Sequence, residues 1–493
     1  MAKSGFFLKS AGVYVLIFAL PVLFSVCTSQ SSAMSDGNAP EPFSTAADAI
    51  GAFRNARPGT HIVIKDGTYV DFDLNFGSRS GAENRNIVIR AQTPGGVTLT
   101  GKSRIYINNC SYVTISGFIF KDGFYGAGTS NAGILVSNDA SHHIRITDIL
   151  MDGYHSPTPE DDCRWVRVYG QYNEVDNCTF INKGSKGVTV EICRSNTEPN
   201  FALVHHNFFG FSRPLLDSEG REVNGLETFR IGTSERSQYD ASCVCEYNFF
   251  EECDGEIEII SNKSGNNTYR GNVMFNCNGT LSLRHGSGCT VEDSFFINVD
   301  KPGMGGVRVM DKNHIVRNNY FENLRTNRRS AVSLEYAVPN SPLNRYWPVI
   351  NTVIENNTFV DNRIAIALGP PGGISSDQTI PPVGTAAKNN LIVSNTGTLQ
   401  IAYRASTDPA VKFTNTVAYG PNLQLVGHGT QPVNSPAAPA GITIADPQMT
   451  KNEDGLFMPG EAFKKYGIQL TRGKTMLKRE DTGASFARGG RPQ

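Results

Sequence analysis

Asn248-Phe249-Phe250-Glu251-Glu252-Cys253-Asp254-Gly255 returns 24 residues later as Asn272-Val273-Met274-Phe275-Asn276-Cys277-Asn278-Gly279. Each copy runs on into an alternating segment, Glu256-Ile257-Glu258-Ile259 in the first and Thr280-Leu281-Ser282-Leu283 in the second. A period in this range marks a solenoid, whose repeats bury their apolar faces only against neighbouring repeats. The theme extends outward as Asn177-Cys178-Thr179-Phe180, Asn207-Phe208-Phe209, Asp293-Ser294-Phe295-Phe296, Asn319-Tyr320-Phe321 and Asn357-Thr358-Phe359. Successive offsets are 30, 41, 24, 21, 26 and 38. The shorter ones read as bare coils and the longer ones as coils carrying a loop. Earlier in the chain, Ile87-Val88-Ile89, Val113-Thr114-Ile115 and Ile144-Arg145-Ile146 are strand-like runs between Gly, Asn and Ser turns. The clearest helix, 46–55, is placed to cap the open end of the solenoid. The chain from 43 to 493 therefore reads as one all-β unit of stacked parallel strands.

Alternation gives each coil a direction. Side chains of a strand point alternately to its two faces, so Ile257 and Ile259 are expected inside with Leu281 and Leu283. Glu256 and Glu258 then share the outer face, beside Thr280 and Ser282 one strand spacing away (about 4.8 Å). Two outward carboxylates can converge on one cation, and oxygen-only ligation suits Ca²⁺. Lys263 ends the same strand, while Arg284 and His285 follow one coil on and Arg308 another 24 residues later.

Composition bounds what this cluster can do. The formal net charge is −1 and charged residues make up 18% of the chain, so no global field draws in nucleic acid or an anionic membrane. An anionic ligand must be met by a local basic cluster, which Lys263, Arg284 and Arg308 supply. The 49 glycines and frequent asparagines suit short strands and tight turns. At the N-terminus, Lys3 and Lys9 precede the apolar run 11–26, and Ser31-x-Ala33 is a cleavage-like site. Residues 1–33 thus read as a signal peptide for export to the periplasm or beyond, and 34–42 as a flexible tether. The apolar run is shorter than the ~20 residues of a membrane span. Cys27 directly after it opens a lipoprotein reading, the one route to a membrane. The remaining nine cysteines read mostly as small core residues.

The segment Glu256-Ile-Glu258-Ile-Ile-Ser-Asn-Lys263-Ser, followed by Leu-Arg284-His285-Gly, resembles polysaccharide lyase family 6, which holds alginate lyases and the dermatan-sulfate-cleaving chondroitinase B. Asn224-Gly-Leu-Glu227-Thr-Phe-Arg230-Ile-Gly resembles that family's preceding coil, and the likeness runs from the capping helix to Leu477-Lys-Arg-Glu-Asp-Thr-Gly483. The resemblance implies a right-handed parallel β-helix and Ca²⁺-dependent β-elimination on an acidic polysaccharide. By motif position, Asn224, Glu256 and Glu258 would hold calcium, Lys263 would be the base, and Arg284 the acid or charge stabiliser. His285, Arg308, Arg230 and Tyr346 are candidate substrate contacts; for Arg230 an ion pair with Glu227 is the alternative. Tyr336, Arg345 and Trp347 lie with Tyr346 in a longer loop that could form a sugar platform.

The residue types match that chemistry. Removing the C5 proton of a uronate places a second negative charge beside its carboxylate, which a Lewis acid stabilises. The base must be neutral, and neighbouring cations favour a neutral amine. Guanidinium rarely gives up a proton, so Arg284 suits charge stabilisation at least as well as proton donation. Glu256 and Glu258 lie too close in orientation to flank a glycosidic bond as a hydrolase pair. A C5-epimerase, or a non-catalytic glycan-binding solenoid, remains as an alternative. Alginate is the expected substrate and dermatan sulfate the runner-up.

Overall fold

The computed structural model describes residues 41–490, apart from 327, 397, 406–407, 410, 422, 429–430, 433–437 and 471–474. The expected signal peptide (1–33), most of the tether (34–42) and Cys27 lie outside the described residues. The chain winds into a right-handed parallel β-helix whose three sheets hold 13, 14 and 14 strands. Within each sheet the strands pair in parallel with those three places along the chain, so each coil gives one strand to each sheet; Gln431–Pro432, which pairs antiparallel with Gln424–His428, is the exception. One helix, α1 (Ala46–Arg54), covers the N-terminal end. Thr45 caps it by accepting from Asp48 N, and Phe53 lies 4.7 Å from the Phe76 ring inside the first coils.

The repeat works as two buried ladders. Asn207, Asn248 and Asn272 stack with Oδ1 of each accepting from the backbone N–H of the preceding coil. Ser294, Asn319, Asn357 and Asn390 continue the row. Beside it, Phe180, Phe209 and Phe250 stack at 5.2 and 4.8 Å, and Phe296, Phe321 and Phe359 at 4.8 and 5.1 Å. The register corrects the repeat arithmetic at two points. Cys178, not Asn177, occupies the ladder, because Cys178 N donates to Asn207; Ser294, not Asp293, occupies it further on. Asn177 and Asp293 instead take the left-handed position just before the ladder (φ 47° and 54°), which Asn and Asp tolerate better than most residues. The nine cysteines among the described residues are free and buried, as small core residues.

The strand expected from Glu256 begins at Glu258 and runs to Lys263. Glu258 pairs with Thr280 but Ile260 with Leu281, so a bulge absorbs one residue. The expected pairing of Glu256 with Thr280 and of Glu258 with Ser282 is therefore displaced. Ser261 lies beside Ser282, and Ile260 fills the core beside Leu281. Ile259 is buried as expected, but Ile257 does not enter the core and lines an external groove.

Candidate active site

The bulge decides where the carboxylates go. Glu256 stays in the bend before the strand, where its Oε2 accepts from the backbone N–H groups of Gly225 and Leu226. The loop between the strands Phe208–Ser212 and Phe229–Ile231 supplies those donors, and Asn224 stands next to them, exposed. Glu258, on the strand, accepts from Ser261 Oγ at 2.6 Å. Burial, then the charges of Glu227 and Glu258, push the Glu256 carboxyl up to about 8. Three crowded carboxylates with backbone donors on one of them are a hard-oxygen set that a divalent cation would relieve.

Cations close the other side. Lys263 Nζ lies 3.5 Å from Glu227 Oε1, and Arg284 Nε lies 3.5 Å from Glu258 Oε1. Arg308 reaches the same Glu258 oxygen at 3.5 Å, Glu335 at 3.0 Å and the Tyr346 hydroxyl at 3.0 Å. Burial works against the Arg308 charge, but Glu335, Tyr346 and Glu258 more than offset it and hold its pKa above the ordinary value. The Tyr346 ring faces both guanidiniums, 4.5 Å from Arg284 and 5.6 Å from Arg308. A groove of about 590 Å³ brings Asn224, Glu256, Arg308 and Tyr346 together.

Two expected contacts stand elsewhere. His285 is buried, and its Nε2 lies 3.0 Å from the Arg345 carbonyl. Because a carbonyl only accepts, Nε2 carries the proton. Burial and then Arg284 lower the ring's pKa to about 3, so His285 is a neutral prop beneath the Tyr346 loop rather than a groove contact. Arg230 takes the ion-pair alternative, 3.1 Å from Glu227 and 2.5 Å from Glu191. From the Tyr346 loop, Arg345 pairs with Asp377 and Tyr336 is buried; neither lines the groove.

Sequence reading missed Glu191. It is 1% exposed and meets Arg164, Arg167 and Arg230 within 2.9 Å. Burial would raise its pKa, yet the three arginines hold it near about 2. A signal existed: Val190-Glu191-Ile192 and Phe229-Arg230-Ile231 share a pattern and pair residue for residue. Glu335 likewise follows a Val332-Ser333-Leu334 strand that pairs with Val307-Arg308-Val309.

Among the described residues, the His/Cys/Asp/Glu group whose donor atoms converge within 4.8 Å is Glu174, Asp176 and His205. It lies on the first sheet, away from the groove, and Arg145 already pairs with both its carboxylates, at 2.6 Å and 3.7 Å. The chemistry of the donor set thus favours the Glu256 side for a cation.

The third sheet of a parallel β-helix thus carries a groove of crowded carboxylates and paired arginines. The family model described as chondroitinase B matches residues 45–465. The chain belongs to that family, polysaccharide lyase family 6. The alginate lyase AlyGC, a member of the same family, is 34% identical with a TM-score of 0.80. The match covers 90% of this chain and 58% of AlyGC, so this chain spans little over half that protein's length. A mannuronic acid-specific family 6 lyase from human gut microbiota is 26% identical over 82% of this chain and 90% of that one, with a TM-score of 0.68. The family 6 lyase Pedsa3628 of Pseudopedobacter saltans, at 20% identity and a TM-score of 0.66 over 90% of this chain and 99% of that one, shares the fold. No curated protein matches the chain.

Proposed function

We infer that this chain is a β-eliminating lyase of a uronate polysaccharide, and that alginate is its substrate. The observation carrying this reading is Lys263 and Arg284 on adjacent coils, each set against a carboxylate of the Glu227, Glu256 and Glu258 cluster. Lys263 takes the C5 proton. The C5–H pair becomes the C4=C5 double bond as the C4–O bond breaks, and the departing oxygen takes up a proton from water. Arg284 donates hydrogen bonds to the charge that develops, in a site where such donors act more strongly than in water. Arg308 and Tyr346 hold the sugar chain in register. Asn224, Glu256 and Glu258 would hold Ca²⁺, which when bound neutralises the uronate carboxylate and acidifies C5–H.

The alginate activity of AlyGC and the mannuronic acid specificity of the gut enzyme, carried to this chain, favour alginate. The chondroitinase B description of the family model keeps dermatan sulfate as the second substrate to assay. The test is the ultraviolet absorbance of unsaturated uronate ends on both polymers, with calcium and with chelator. Lys263→Ala should lower kcat by roughly 10²–10⁴-fold with an unchanged melting profile. Absence of product from either polymer would sink the lyase reading; full activity in Lys263→Ala would sink the mechanism.

A further inference from the structure

The groove holds two cations that no carboxylate engages in an ion pair among the described residues, although Glu222 lines it with them. Arg308, Arg284, Arg230 and Lys263 each have an acidic partner within 3.5 Å. Arg328 and Arg329, which line the same groove beyond Arg308, make no ion pair among the described residues. Arg329 is largely enclosed, its Nη1 donating to the Gly303 carbonyl while its Nε is buried with no partner. Burial, together with Arg308 and Arg328, lowers its pKa to about 10 against the opposing pull of Glu222. A guanidinium confined beside two like charges is unfavourable unless an anion joins it.

The place is shaped for that side chain. In the turn Pro302-Gly303-Met304-Gly305-Gly306, a Cβ at Gly303 would stand 1.8 Å from Asn278 Oδ1 and 3.0 Å from Arg329 Nη1. A Cβ at Gly305 would stand 2.8 Å from Arg329 Cβ. Two glycines thus leave the channel in which Arg329 lies, and a Cβ at Gly372 would stand 3.1 Å from Arg328 Cβ. The strand after Arg329, Val332–Leu334, lies three coils past Glu258, about 14 Å along the helix at ~4.8 Å per coil.

The geometry points to a second anion subsite at Arg328 and Arg329, which takes the carboxylate of a uronate some sugars away from the bond being cut. This inference rests on the uronate-lyase reading and adds to it a site that senses chain length. Planar guanidinium donors match a carboxylate in paired fashion. A short oligosaccharide seated at Lys263 cannot reach the pair, and a longer one can.

The test is calorimetric binding of alginate oligosaccharides, from trisaccharide to hexasaccharide, to the full chain carrying Lys263→Ala so that ligands stay intact. The hexasaccharide should bind about tenfold more tightly than the trisaccharide, and Arg329→Gln should remove that gain. Arg329→Lys should keep part of it. Arg328→Gln, at an exposed position, gives the same reading should Arg329→Gln fail to fold. Equal weakening at every length, or an unchanged length profile in both variants, would overturn the subsite. Lyase activity without a length profile removes the subsite alone. An arginine-dependent profile in a protein that yields no unsaturated ends removes the lyase reading and leaves the subsite standing.

Discussion

Lys183 is fully enclosed. Its Nζ donates to the Ser185 carbonyl at 2.7 Å and lies 5.7 Å from the Trp165 ring, with no acidic partner among the described residues. Burial lowers its pKa from 10.5 to about 7. Between those values the unfolded chain binds the proton and the folded one does not, so stability rises with pH across that window. Below about 7 the cost of enclosing the ammonium is fully present. Urea midpoints at about pH 7 and about pH 9 should therefore diverge, by up to about 1.4 kcal/mol per pH unit from this group. Lys183→Met should flatten the slope; an unchanged slope would place the titration elsewhere. Glu191 behaves oppositely, because its folded pKa is depressed. Its contribution is present above about 4.5 and fades as pH falls towards about 2. Glu191→Gln leaves the enclosed Arg167 without a carboxylate and takes one from Arg164 and Arg230, which keep Asp162 and Glu227, so calorimetry should register a loss of about 3–5 kcal/mol. Neither residue is legible as special in the sequence, since a Lys between Asn182 and Gly184 or a Glu between Val190 and Ile192 carries no sign of which charges the next coil brings to it.

At the scale of one coil, the asparagine ladder and the residue before it share the work of the turn. Asn318-Asn319, Asn356-Asn357 and Asn389-Asn390 each put the first Asn in the left-handed region (φ 56°, 55° and 54°) and the second in the ladder. Asn248 accepts from Asn207 N and donates to the Val204 carbonyl, both at 3.0 Å. Asn248→Ala should cost about 3 kcal/mol, because buried polar groups lose their partners. Asn318→Ala should cost less, mainly the strain of a left-handed alanine. Denaturant titration of the two variants separates the roles, and equal losses would contradict the division. The repeats were readable because both roles favour one residue type. The bulge at Glu258–Ile260 was not, because Glu256-Ile257-Glu258-Ile259 satisfies alternation in either register. Only the pairing with Thr280–His285 decides which isoleucine goes inside.

Across the whole molecule, the C-terminal segment folds back over the second sheet and ends against its early coils. Ile468 N donates to Thr358 Oγ1, Phe457 N to the Tyr320 hydroxyl and Ala484 N to Thr179 Oγ1. Leu456, Ile468, Ala484 and Ala487 bury Phe208, Phe249, Val273, Phe295 and Tyr320 on the outside of that sheet. A chain ending at residue 445 should melt earlier and bind a hydrophobic dye while folded, since these side chains would face water. Unaltered melting would show that the second sheet needs no cover. The sequence alone determined that the chain coils, where most coils lie, and which residues crowd the carboxylate face, because strand alternation and repeat spacing are local properties. Only the tertiary structure decided that Arg230 serves Glu191, that His285 props a loop, that Ile257 lines the groove and that Arg328 and Arg329 stand there with no ion pair among the described residues. Each of those facts depends on which side chain the adjacent coil, or a distant loop, places within about 4 Å, and ion pairing and burial are settled at that distance.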